Sequence, residues 1–225
     1  MGEAIGQSLP LAVGVALSPV PIIAVVLMLT TPRAKTNGPS FIIGWLIGLS
    51  LVGTVVLALA GPADAEESGQ PATWVAWLEM ALGGMLLLVA VRQFRGRPHE
   101  GEDPPLPKWM GALDRFKAGA ALGAGAALAG ANPKNLLLIV GGATAIAKTG
   151  IPGTEQAISL AIFALVGTIG VGAPVIIYFA MGPRAPHTLG RLKDWMGHNN
   201  AVIMAVLCLV IGMKLIGDAI SGLAA

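Results

Sequence analysis

The chain has 225 residues, of which 55% are hydrophobic and 12% charged, and a formal net charge of +2. Soluble domains carry about 25% charged residues, and the mean hydropathy of +0.76 is that of a protein crossing a membrane several times. So small a charge speaks against a nucleic-acid partner, and the one cysteine, Cys208, excludes an intramolecular disulfide or a CxxC pair.

Six apolar segments, roughly 4–31, 40–61, 72–92, 118–147, 155–181 and 200–222, match the ~20 residues that a spanning helix needs. Glu3 and the lack of a basic region ahead of the first segment argue against a cleavable signal peptide. That segment is interrupted by Ser18-Pro19-Val20-Pro21. The second has no charge from Phe41 to Ala60, and the loop after it holds Asp64, Glu66 and Glu67. The third carries Trp74, Trp77 and Glu79. A Pro-rich, charged stretch, Gly96 to Pro107, follows and is expected to be disordered. Beyond it Trp109, Met110, Leu113 and Phe116 recur at helical spacing among Lys108, Arg115 and Lys117, the pattern of a short basic helix on a membrane surface. Leu189, Leu192, Trp195 and Met196 repeat that pattern beside Arg191 and Lys193.

The fourth segment is where apolar composition fails. Asn132-Pro133-Lys134-Asn135 stands inside a run of Ala, Gly, Leu, Ile and Val. Proline removes a backbone donor and clashes with the preceding turn, so a helix there breaks or kinks. Lys at the centre of a spanning helix costs on the order of 3 kcal/mol on insertion scales. Such backbone is tolerated at membrane depth where protein buries it or it lines a cavity. A kinked helix with a snorkelling lysine is one reading, and a binding site is the other.

Sliding the chain by 114 positions lays Ser18-Pro19-Val20-Pro21 over Asn132-Pro133-Lys134-Asn135 and brings Gly61-Pro62 near Ala173-Pro174. Paired, Pro-interrupted segments in two halves point to a transporter with its cargo site between the repeats. Eleven of the 14 Lys and Arg residues fall in loops 32–39, 92–117 and 182–199, which places those loops in the cytoplasm and both termini outside. The expected architecture is therefore an all-α integral membrane protein of six transmembrane helices. Two inverted three-helix repeats, 1–95 and 118–225, have Pro-broken first and fourth helices and are joined by a cytoplasmic linker, 96–117, with its short amphipathic helix.

The candidate site is accordingly Ser18, Pro19 and Pro21 with Asn132, Pro133, Lys134 and Asn135. Three other ionisable groups lie in apolar runs: Glu79, Lys214 and Asp218. Glu79 and Lys214 fall at comparable depth, and Lys214 and Asp218 are four apart on one helix face. A structural pair and an ion-coupling carboxylate are both open readings. His99, His187 and His198 lie in the expected cytoplasmic loops, so no metal site is expected. No Gly-x-Ser-x-Gly occurs, and neither an enzymatic activity nor a cofactor is expected.

At Ser18-Pro19-Val20-Pro21, Thr31-Pro32-Arg33-Ala34, Gly44-Trp45 and Asn132-Pro133-Lys134-Asn135, the chain resembles the GAP family of the lysine exporter superfamily. These are actinobacterial proteins similar to the sulfolipid- and glycopeptidolipid-addressing proteins. The resemblance covers essentially the whole chain. It implies a six-helix inverted repeat in the plasma membrane that exports a cell-envelope lipid or glycolipid. Membrane lipids, a larger lipid exporter and a second copy in a homodimer are the partners that fit. The alternatives are an ion-coupled exporter of a small metabolite such as an amino acid, and a non-transporting scaffold for a lipid exporter. Amino-acid exporters of the superfamily typically carry Pro-Gly-Pro where this chain has Pro19-Val20-Pro21.

Overall fold

The computed structural model describes residues 1–60, 73–97 and 115–224, and every regular element among them is helical. In chain order these are α1 (Gly2–Ala16), α2 (Pro19–Leu29), α3 (Ala34–Leu59), α4 (Thr73–Arg95), α5 (Ala118–Gly130), α6 (Pro133–Ala147), α7 (Gly153–Met181), a 3-10 turn (Gly182–Arg184) and α8 (Ala185–Ala224). Most of the linker and its amphipathic helix, and the acidic loop after α3, lie outside the described residues.

Both Pro motifs end one helix and start another. Pro19 and Pro133 occupy the first turn of α2 and α6, where a missing N–H costs nothing. The residues ahead of them are extended, Ser18 at φ −90°, ψ 104° and Asn132 at φ −71°, ψ 120°, as the clash with a following proline ring requires. The axis turns by 50° between α1 and α2.

Three helical stretches are long and apolar enough to cross a membrane: Ala34–Leu59, Val75–Arg95 and the run Gly153–Ala224. The bent pair α1 and α2 makes a fourth if taken as one span, while α5 and α6 are shorter apolar helices. The count thus falls short of the six segments expected, for two reasons. The break shortens both helices of the fourth segment. In addition α7 runs into α8 through a single 3-10 turn, so the loop expected over 182–199 is itself helical. Its apolar stripe belongs to the first half of α8, which has 40 residues and is about 60 Å long.

Packing follows the glycines. A methyl group on Gly44 would strike the Leu122 carbonyl, and one on Gly125 the backbone of Phe41 and Trp45. These glycines let α3 and α5 touch backbone to backbone, the close approach that association in lipid favours. Gly170 does the same for α7 against the Ala16 carbonyl of α1. The packed pairs come as counterparts: α3 with α5 and α7 with α1, α2 with α8 and α6 with α4, α3 with α6 and α7 with α2. Val175 lies beside Gly38, Leu49 beside Gly167 and Leu160 beside Gly53, so α3 and α7 run antiparallel. Ile216 beside Gly83 and Ala76 beside Gly222 make α4 and α8 antiparallel too. Trp45, fully buried, donates its indole N–H to the Gly167 carbonyl at 3.3 Å and pins α3 to α7.

Candidate functional site

The two breaks meet in the interior, and their backbone chemistry is the same. At the end of α1 the last ladder bond runs from the Leu17 N–H to the Val13 carbonyl; at the end of α5 it runs from Ala131 to Ala127. The next carbonyl in each half, Gly14 and Leu128, has lost its helical donor because the following residue turns extended. The next helix then begins alike, with Ile22 donating to the Ser18 carbonyl and Leu136 to that of Asn132. Each of these residues in the first half sits 114 positions before its counterpart.

Side chains fill what the backbone leaves open. Lys134 donates from Nζ to the Gly14 carbonyl at 2.7 Å and to Ser18 Oγ at 2.6 Å. Asn135 donates from Nδ2 to the Leu128 carbonyl at 3.0 Å. Ser18 joins the two by donating from Oγ to Asn135 Oδ1 at 2.7 Å. Asn132 caps α6, its Oδ1 accepting from the Lys134 N–H at 3.1 Å. Ser18, Lys134 and Asn135 are 2%, 3% and 0% exposed. The structure therefore brings Ser18, Lys134 and Asn135 into one buried network, with Pro19 and Pro133 setting the breaks. Pro21 is buried in the first turn of α2 and its ring takes no part in the hydrogen bonds.

Lys134 does not snorkel. Its ammonium is turned into the protein, and no carboxylate among the described residues lies within ion-pair distance of it. Its charge is balanced by dipoles: the carbonyl end of α1, which carries partial negative charge, and the Ser18 hydroxyl. An ammonium has three donors, and two of Lys134's are used. The site is lopsided, since the positions equivalent to Lys134 and Asn135 are Val20 and Pro21.

The other three candidates lie elsewhere. Glu79 does not meet Lys214: its carboxylate accepts from Lys148 Nζ at 2.7 Å, with side chains 2% and 14% exposed. Lys214 is 2.5 Å from Asp218. Lys148 is the residue that sequence reasoning left unassigned. The available signal was that Glu79 needs a partner and that Lys148, one residue past α6, ends a segment at the depth where the third one begins. No group of His, Cys, Asp and Glu able to hold a metal occurs among the described residues. Cys208 is buried on α8 as an apolar filler.

Apolar helices packed through glycines, with a polar network sealed at two breaks, define a helical membrane protein. The chain belongs to the family described as Sap, sulfolipid-1-addressing protein, whose model matches residues 9–221. No curated protein and no solved structure matches it.

Proposed function

We propose that the protein is a carrier that exports or flips a cell-envelope lipid with an anionic head group, and that the head meets Lys134. One observation carries the reading: a buried ammonium with no carboxylate partner among the described residues, held at the junction of two broken helices. A buried charge without a partner is costly, and in membrane segments such groups mark substrate pathways. An anion entering between Gly14, Ser18 and Lys134 would supply the missing countercharge. The family's description speaks for a sulfolipid as one such cargo.

On this reading the repeats are inverted and the chain crosses the plasma membrane six times, each broken pair counting once. The antiparallel course of α3 against α7 and of α4 against α8 supports this, as does the gathering of basic residues where α2 meets α3, α4 approaches α5 and α7 meets α8. Both termini then lie outside, and transport is a rocking of one repeat against the other around the network. Reconstitution into liposomes with a fluorescent sulfated lipid tests the reading. The wild-type chain should move the lipid between leaflets and Lys134→Met should not. Equal rates in the two would remove Lys134 from the pathway. No movement by the wild-type chain would leave the scaffold reading.

A further inference from the structure

Along α6 the polar side chains stand at intervals. Lys134 and Asn135 open the helix, Thr144 lies one turn from its end, and Lys148 caps it; every other side chain after Asn135 is apolar or absent. The two lysines are about 21 Å apart along the axis at ~1.5 Å per residue, comparable with the step from the middle of a ~30 Å hydrocarbon core to beyond its edge.

At the outer end of that step Lys148 holds the Glu79 carboxylate. The contact joins α4 of the first repeat to the end of α6 of the second. A buried ion pair fastens two elements no better than apolar side chains of the same volume, so simple fastening does not account for it. A contact that opens and recloses is different, because both partners are solvated when apart. Just inside it the Thr144 hydroxyl is buried without a hydrogen-bond partner, and so is that of Ser159 on α7. A buried hydroxyl on a helix ordinarily turns back to its own backbone, as that of buried Ser8 does to the Ile5 carbonyl at 3.2 Å. Thr144 and Ser159 do not, which leaves both free to bond water or a polar head when the contact parts. At the basic end no ion pair joins the repeats among the described residues; Lys193 meets only its neighbour Asp194.

We infer that Glu79 and Lys148 are the gate at the far end of the path that starts at Lys134, with Glu79 holding on Lys148 the place an anionic head group takes in passing. This rests on the carrier reading above, and the experiment separates the two. The full chain carries Cys208→Ala and a single cysteine at Thr144, is reconstituted in liposomes, and meets a membrane-impermeant maleimide from either face. With the pair intact Thr144→Cys should be protected. In Glu79→Gln it should label faster from the face where α6 ends, by about tenfold for each ~1.4 kcal/mol of closing energy lost. Exchanging the charges, Glu79→Lys with Lys148→Glu, should restore protection, and that variant also controls for misfolding. A sealed cysteine in folded Glu79→Gln that still transports lipid would overturn the gate and leave the carrier standing. Rapid labelling in the charge-exchanged variant would overturn it as well. An opened cysteine in Glu79→Gln, with no lipid moved by the wild-type chain, would keep the gate as a moving contact and overturn the carrier.

Discussion

The Lys134 ammonium donates to the Gly14 carbonyl at 2.7 Å across 120 positions of sequence. The counterpart carbonyl, Leu128, is served from its own half by Asn135. One half thus repairs itself and the other is repaired from across the interface, by the one charged side chain at either break among the described residues. The halves are locked together through groups that an anion can compete for.

This arrangement sets an order of stabilities. Asn135→Leu removes the acceptor of Ser18 and the donor to Leu128, stranding two buried groups at about 1–3 kcal/mol each. Lys134→Met strands the Gly14 carbonyl but also removes a buried charge, and these effects oppose each other. Thermal unfolding in detergent should show the neutral substitution, Asn135→Leu, as the more destabilising of the two. The reverse order would mean that the charge holds the breaks together.

The glycines divide into two groups by what surrounds them. A methyl at Gly44 or Gly170 would meet backbone, while nothing lies within 4 Å of one at Gly119 or Gly123. Gly44→Ala and Gly170→Ala should each lower stability by about 1–3 kcal/mol through overpacking. Gly119→Ala and Gly123→Ala should be neutral or slightly stabilising, since Ala is the better helix former. Unfolding midpoints of the four variants check the division.

Glu79 and Lys148 should be coupled. Removing either partner leaves the other charged in a poorly solvated place, which costs more than removing both. A double-mutant cycle of Glu79→Gln and Lys148→Met should give an interaction energy of about 0.5–3 kcal/mol, whereas Glu79→Gln with Lys214→Met should be additive. Coupling to Lys214 instead would contradict the observed pairing.

Much of the site was legible in the sequence because proline leaves little choice. A residue ahead of Pro133 or Pro19 must be extended, so the breaks and their offset of 114 could be read without a structure. Glu79 shows where such reading stops. Depth along a helix is countable from sequence, but which face meets which neighbour is set by tertiary packing, and Lys148 and Lys214 both qualify by depth. The boundary before the last span was harder to read. The stretch 185–198, rich in His, Arg, Lys and Asp, reads as a loop with a short surface helix. Yet Ala185, Leu189 and Met196 are buried and make it the first part of one continuous helix, α8.

Topology can be tested on described, exposed positions. Thr154, at the start of α7, and Lys35, at the start of α3, should lie on opposite faces, since α3 and α7 are antiparallel. In a Cys208→Ala background, Thr154→Cys should label with an impermeant maleimide from outside whole cells and Lys35→Cys only after lysis. Labelling of both from one side would contradict the inverted arrangement, and exchanged labelling would place both termini in the cytoplasm.

The sign of the cargo can be read from Ser18. Its hydroxyl is 2.6 Å from the Lys134 ammonium, and it occupies the N-cap position of α2 without capping it. Aspartate is favoured at N-caps, and the positive end of a helix attracts its charge, so Ser18→Asp should fold despite losing the bond to Asn135. It would also give Lys134 a fixed counter-ion. A site that uses that ammonium to hold a sulfate, phosphate or carboxylate head should then lose its cargo, since the place is filled and the anion is repelled. A site for a cationic metabolite should gain from the same change, because the net positive charge that opposes such a cargo is gone. Flux of a fluorescent sulfated lipid and of a labelled cationic amino acid, measured in the same proteoliposomes, decides between them. Loss of the lipid flux with no amino-acid flux is the expected result. Amino-acid flux raised by Ser18→Asp would replace the lipid carrier with a small-metabolite exporter.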